Sequence, residues 1–263
     1  MIDLHHHCLP GLDDGPRTLE EAVELCQAAA DEGIETIVAT PHVLRGRWIN
    51  DSRALLEQRL TELRAAIGDS PRLLLGSEYF FAHDMNEMLR SGKGIIPLAG
   101  SRTILIEFDA YNVPPLVEQP LYRAQLDGWM PLIAHPERNA TFQARPELLE
   151  SLVRLGAKVQ VTGASFLGDF GEEARAAAHE YLRRDIVHVI ATDAHNVKRR
   201  PPRAREARRA VSEIAGSDVA EALFVDNPRA IIEGRGLVYD PDLPYTSTSK
   251  SGLLGRLRRL FKR

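Results

Sequence analysis

Cysteine is scarce in this chain. Cys8 and Cys26 are the only two among 263 residues, too few for a disulfide framework, and a reducing compartment suits them. Long apolar runs are missing too. Nothing approaches the roughly 18 residues needed to span a bilayer, and the N-terminus lacks a basic, then apolar, signal pattern, so a cytoplasmic location is expected. No glycine-rich phosphate loop of the P-loop or dinucleotide type occurs. The thiol route to phosphate-ester cleavage needs an Arg six positions after its Cys, and those positions hold Asp14 and Glu32. A net charge of −4 gives no overall basic field, which argues against nucleic acid as a partner. The charge is uneven: from Lys250 onward there are six basic residues and no acid, leaving 27 basic against 37 acidic elsewhere.

What is present is a repeated pattern. Six apolar, strand-like runs each end at or near a His, Asp or Glu: Ile2–His7, Ile37–His42, Leu73–Glu78, Ile104–Glu107, Leu132–His135 and Val189–His195. Further buried-strand runs cover Lys158–Thr162 and His188–Thr192, and Ile34–Thr40 follows the turn at Gly33. Between them lie helical stretches. A capping-box pattern at Thr18-Leu19-Glu20-Glu21 opens one that runs to about Asp31. Others are expected over Asp51–Ile67, Leu116–Leu126, Pro146–Leu155, Glu172–Arg183 and Arg203–Ile214. Repeated βα units without a long linker predict an α/β fold, a single closed or nearly closed barrel whose C-terminal rim gathers the polar side chains.

His5 and His7 are one residue apart in a strand, so both point to one face while His6 points away. Asp193 and His195 repeat that spacing on a late strand. A lone histidine is more often a hydrogen-bonded core residue than a ligand. Paired ligands on two strands are much rarer by chance, and buried Glu78 and Glu107 are costly without a cation. A His and carboxylate set without thiolate favours divalent Mn, Fe or Zn, and there are more ligands than one tetrahedral ion takes. The aspartates of Gly11-Leu12-Asp13-Asp14-Gly15 either form only a turn or supply one more ligand at the rim.

These segments together resemble the polymerase and histidinol phosphatase (PHP) superfamily, and most closely its CpsB/YwqE-like bacterial tyrosine-protein phosphatase branch. The matching residues are Ile2–His7, Leu9–Pro16, Ala39–His42, Gly76–Glu78, Ile106–Phe108, Ala134–Arg138 and Thr192–Asn196, with Asn227-Pro228-Arg229 fitting a late helix. The resemblance implies a distorted (β/α)7 TIM-like barrel of the PHP type over residues 1–238, with three divalent metal ions, often manganese. One ion would take His5, His7, Glu78 and Asp193; a second Glu78, Glu107 and His135; a third Asp14, His42 and His195. Arg138 resembles the branch's phosphate-contacting arginine, against the plainer option of a surface pair with Glu137, and Arg200 is a further candidate. The implied reaction is hydrolysis of phosphotyrosine by a metal-activated hydroxide, with Asp14 or a bound water as proton donor. The implied substrate is a phosphotyrosine protein, a bacterial tyrosine kinase controlling polysaccharide synthesis or export. Two rival readings stand beside it: a small-molecule phosphoesterase acting on histidinol phosphate or a nucleotide, and a non-catalytic metal-binding regulatory module.

The C-terminal end reads separately. Residues 239–251, rich in Pro, Ser and Thr, suggest a linker, and 252–263 a basic amphipathic helix with Leu253, Leu254, Leu257, Leu260 and Phe261 at helical spacing. Such a helix either rests on an anionic membrane surface or packs its Leu face on protein.

Overall fold

The structure, a computed structural model, describes residues 1–241. The expected tail helix over 252–263, and the expected linker from residue 242 on, lie outside the described residues. The strands are β1 Ile2–His6, β2 Thr36–Ala39, β3 His42–Val43, β4 Arg72–Leu75, β5 Glu78–Phe80, β6 Thr103–Glu107, β7 Met130–Ala134, β8 Lys158–Thr162 and β9 Val189–Ala191. Every pairing between them is parallel.

Local signals place the helices. Thr18 accepts the Glu21 N–H (3.3 Å) to open Leu19–Asp31, while the Glu21 carboxylate reaches back to the Arg17 N–H (2.7 Å), one residue beyond the usual capping box. Helices Arg53–Ile67, Glu118–Leu126, Pro146–Arg154, Glu172–Arg183 and Ala204–Ala215 occupy the other expected stretches. Helix Met85–Ser91 and the single-turn Ala140–Ala144 are too short to show an apolar period in the sequence.

The strands are buried on both faces, as parallel strands require. One face packs inward: Ile2, Leu4, Val38, Leu105, Leu132, Ala134 and Val189 form a single apolar cluster, closed by Leu98 and Ile231. The other face meets the helices, with Ile104, Ile106, Ile133, Val159, Val161 and Ile190 in one outer cluster and Ile37, Ala39 and Leu73 in another.

The sequence pattern predicts one closed or nearly closed barrel, and the ladders run in two parts. They form a three-stranded sheet, β1-β2-β4, and a six-stranded sheet, β3-β5-β6-β7-β8-β9. The break has a local cause. Between β2 and β3 stand Thr40 and Pro41, and Pro41 has no N–H to give. Between β4 and β5 stand Gly76 and Ser77, where a Cβ on Gly76 would lie 2.8 Å from Leu98 Cδ2 and 3.0 Å from Val38 Cγ1, so a side chain there would force these core residues to shift. β1 and the segment after β9 are joined by Asp193 N–H to His5 O (2.8 Å), His7 N–H to Ala194 O (2.9 Å) and one isolated bridge, His6 to Ala194.

At the opposite end of the strands, Asn227 ties the last described residues down. Its Nδ2 donates to His188 O (2.8 Å) and Tyr239 O (2.6 Å), and its Oδ1 accepts from the Val238 and Tyr239 N–H groups (2.9 Å each). Beside it Asp240 accepts from Lys158 Nζ at 2.6 Å. Asn227→Ala strands a buried carbonyl and is expected to lower unfolding free energy by about 2–3 kcal/mol. A urea midpoint indistinguishable from that of the parent protein would show that this tie carries no stability.

Candidate metal centre

The strand ends converge on one buried polar centre. His5 and His7 come from the end of β1, His42 and Glu78 open β3 and β5, Glu107 closes β6, and His135, Asp193 and His195 follow β7 and β9. Two of these residues leave their strands in the left-handed region, His135 at φ 32° and Asp193 at φ 52°. Such backbone costs about 1–3 kcal/mol per non-glycine residue and clusters at functional sites. Here it turns each side chain out of the ladder and toward the centre.

Glu78 is the hub. Its carboxylate lies 3.3 Å from His5 Nε2, 3.3 Å from His7 Nε2, 2.7 Å from His42 Nδ1 and 2.7 Å from His135 Nε2. Asp193 Oδ1 is 3.3 Å from His5 Nε2 and 3.4 Å from His7 Nε2. Asp14, whose side chain is 39% exposed at the mouth, lies 3.3 Å from both His42 Nε2 and His195 Nε2.

The hydrogen bonds behind the histidines decide which nitrogens face inward. Gln160 Oε1 accepts the His135 N–H (3.3 Å), and it lies 2.9 Å from His5 Nδ1, which therefore donates to it. His7 Nδ1 donates to Asp13 Oδ2 at 2.7 Å. With both Nδ1 atoms donating outward, the two Nε2 atoms face each other at 3.2 Å among the carboxylates of Glu78 and Asp193, and despite burial the neighbouring carboxylates push both rings up. Lone pairs and anions so placed repel unless protons or cations sit between them. Burial and the charge of Glu78 push Glu107 up to about 8, while Glu78, though buried, is held well below the usual carboxylate range by His5 and His42. Glu78 Oε2, Glu107 Oε2, His42 Nδ1 and His195 Nε2 are buried without a directed hydrogen bond. A hard or borderline cation set fits these donors, all nitrogen and carboxylate oxygen.

Ligand-type atoms within 4.8 Å of one another form four overlapping groups: His5, His7 and Asp193; His5, Glu78 and His135; His42, Glu78 and Glu107; and His7, Asp14, His42 and His195. All nine side chains singled out in the sequence fall in these groups. The partition differs in detail, since Glu107 lies with His42 more than with His135, from which it is 3.9 Å, and His7 also joins the Asp14 group.

Above the centre a cleft of about 250 Å³ is lined by Asp14, Arg138, Arg200, Phe108 and Phe142 among others. Arg138 is largely buried, with Nε 4.0 Å from Glu137 Oε1, rather than in a surface pair. Its Nη2 bonds Asp193 Oδ2, and Glu137 is buried, accepting from the Thr162 N–H (3.1 Å) and Ser165 Oγ (2.7 Å). Arg200 Nη2 donates to the same Asp193 oxygen at 2.5 Å.

A family model described as capsular polysaccharide synthesis, CpsB/CapC, matches residues 1–233. The chain belongs to that family. Among curated relatives it is similar to the tyrosine-protein phosphatase YwqE of Bacillus subtilis, 34% identical over 246 residues that cover 93% of this chain and 96% of the relative. It is also similar to the putative tyrosine-protein phosphatase CapC of Staphylococcus aureus, 37% identical over 206 residues, 76% of this chain and 79% of that one. A crystal structure from work on YwqE of Bacillus subtilis and CpsB of Streptococcus pneumoniae, described as metal-dependent tyrosine phosphatases, superposes with a TM-score of 0.88. It is 33% identical and covers 94% of this chain and 100% of that one. A lactonase of Listeria monocytogenes, at 14% identity and TM-score 0.52 over 89% of this chain and 94% of that one, shares the fold alone.

Several members of the family centre are not evident from sequence. Asp13, rather than Asp14, orients His7, and also accepts the His42 N–H at 3.1 Å. Gln160 was marked only by being polar in the middle of an apolar strand. Arg45 places Nε 2.9 Å from Glu107 Oε2 and Nη1 2.7 Å from His42 Nε2. Nothing in the local sequence distinguishes it from a surface arginine.

Proposed function

We propose that this protein is a metal-dependent protein-tyrosine phosphatase, with divalent ions, manganese first among them, held by the strand-end cluster. The observation that carries this reading is the pair of inward-facing His5 and His7 Nε2 atoms among buried carboxylates, one of which, Asp193, also holds two arginines. The family membership supports it. The proposed ligand sets are His5, His7, Glu78 and Asp193; Glu78, Glu107 and His135 with Glu78 shared; and Asp14, His42 and His195. The seven strand positions, counting β2 with β3 and β4 with β5 as single kinked strands, are taken as one distorted (β/α)7 barrel. The substrate proposed is a phosphotyrosine protein, a bacterial tyrosine kinase acting in polysaccharide synthesis.

When bound, such ions supply Lewis acidity toward the phosphoryl oxygens and activate water as the nucleophile. The chain's own residues do the rest. Arg138 and Arg200 offer guanidinium donors at the cleft, suited to a planar pair of phosphoryl oxygens. Asp193 holds both by Oδ2 while its Oδ1 faces the histidines, so the arginines are set in register with the centre. Asp14, despite partial burial, is held well below the usual carboxylate range by its hydrogen bonds with His195 and His42, which suits a metal ligand. Tyrosinate, with a pKa of about 10, leaves with little acid help.

The test is turnover of phosphotyrosine, phosphoserine and histidinol phosphate by full-length protein, chelated and then restored with manganese. Chelation should lower phosphotyrosine turnover by more than about 100-fold, as loss of several kcal/mol of Lewis-acid stabilisation demands. Cys8→Ser should keep most activity. Cys8 is buried, and the neighbouring Cys26 thiol together with burial pushes it well above the ordinary thiol range, the opposite of a nucleophile. A fully active chelated enzyme, or a dead but folded and metal-loaded Cys8→Ser, would overturn the mechanism.

The basic C-terminal segment adds a proposed contact with an anionic membrane surface. Deleting residues 250–263 should weaken sedimentation with anionic vesicles at low salt and leave soluble phosphopeptide turnover intact. Equal vesicle binding by the deleted and full-length proteins rejects the contact.

A further inference from the structure

Against the two arginines lies an aromatic ring that does not line the cleft. Phe170 sits with its ring centroid 4.5 Å from Arg138 Cζ and 5.7 Å from Arg200 Cζ. Both arginines line the cleft and Phe170 does not. Its loop is fixed at each side. Gly168 and Gly171 take φ of 88° and 91°, and Asp169 receives Arg203 Nη1 on both oxygens at 2.6 and 2.7 Å. The ring is therefore presented by a braced turn.

Two guanidinium groups on one carboxylate oxygen repel each other, and the other acids near them stand further off, Glu137 4.0 Å from Arg138 Nε and Asp14 3.9 Å from Arg200 Nη1. The Nε atoms of Arg138 and Arg200 are both buried with no hydrogen-bond acceptor. The face of an aromatic ring carries negative potential and attracts cations within about 6 Å. Phe170 supplies that face to both arginines at once, from outside the cleft lining. Asp193 and Phe170 thus hold the pair from two directions and leave the remaining N–H groups for the cleft.

We propose that Phe170 is a positioning residue that holds Arg138 and Arg200 as one preformed phosphate clamp. The clamp's use in catalysis rests on the phosphatase reading above, but its capacity to hold phosphate does not. A clamp set before substrate arrives lowers the cost of binding the phosphoryl group in the ground and transition states alike, so its loss shows in KM more than in kcat.

The experiment compares full-length, manganese-loaded parent, Phe170→Leu and Phe170→Tyr proteins. It reads KM and kcat on a phosphotyrosine peptide, the Kd of inorganic phosphate by calorimetry, and bound metal. Phe170→Leu keeps bulk but loses the ring face, so KM and the phosphate Kd should rise together by about 3- to 30-fold. Its kcat should stay within about 3-fold of the parent value, as for lost uniform binding, and its metal content should not change. Phe170→Tyr keeps the ring and should restore parent behaviour. An unchanged phosphate Kd in Phe170→Leu overturns the proposal, as does a Phe170→Tyr protein as weak as Phe170→Leu. A KM rise without a matching rise in phosphate Kd also overturns it, since the ring would then be touching the tyrosyl group. If Phe170→Leu does not fold, Phe170→Met carries the same comparison. Should the parent protein fail to turn over phosphotyrosine, the phosphatase reading falls while the phosphate Kd still decides for or against the clamp.

Discussion

Glu78→Ala protein, stripped of metal and given manganese again, is expected to bind fewer ions than the parent. Its kcat/KM should lie more than about 10³-fold lower, the loss of several kcal/mol of Lewis-acid stabilisation. Four imidazoles converge on this one carboxylate, at 2.7 to 3.3 Å. No other acid reaches them all: Asp193 faces His5 and His7, while Asp14 faces His42 and His195. Removing Glu78 takes a shared anion from two ligand sets together, and neighbours cannot replace it without backbone movement at the breaks beside β3 and β5. Glu78→Gln should lie between, because the amide oxygen still donates a lone pair but carries no charge. Ion analysis beside kinetics decides the matter. Full loading in Glu78→Ala would remove the shared-carboxylate assignment, whatever the activity.

Arg138→Ala should separate binding of ions from use of them. Asp193 remains held by Arg200, so the ligand sets stay in place and the metal content should match the parent. The kcat should nevertheless fall about 10²- to 10³-fold, the usual loss when one preorganised donor to a developing charge is removed. Arg138→Lys should recover little, since a point charge does not reproduce a planar fork bound to a carboxylate and lying over a ring. If metal-loaded Arg138→Ala turned over at the parent rate, Arg138 would be only a brace for Asp193.

Much of this centre was legible in the chain because ligands in a parallel α/β fold gather where strands end. Eight of the nine candidates stand at or just after an apolar run, Asp14 in the turn beyond the first of them, and the order of the runs is the order around the centre. What the sequence hid is of two kinds. Asp13 and Gln160 act by orienting a histidine through its outer nitrogen, and a second partner at that distance leaves no spacing rule, since residue 160 meets residue 5 only through the fold. Asp13 also lies beside a better-exposed neighbour in an Asp-Asp-Gly turn, and composition cannot rank the two. The second kind is the closure of the sheet. A period of apolar residues predicts strands, but not that Pro41 and the pair Gly76-Ser77 interrupt them at one level and split the ladder into sheets of three and six. Arg138 shows the limit in the other direction. Its nearest charge in sequence, Glu137, stands 4.0 Å from its Nε, yet the carboxylate it hydrogen-bonds lies 55 residues away at Asp193.

The tie made by Asn227 and Asp240 gives the molecule a head and a foot. Lys158, which holds Asp240, begins β8, and Gln160 two residues later touches His5, so about 7 Å of strand separates the chain's point of departure from the centre. The cleft opens from the far ends of the same strands. The described chain therefore ends at Pro241 beneath the cleft rather than beside it. A rigid fusion partner joined directly at Pro241, in place of residues 242–263, should leave substrate access unobstructed.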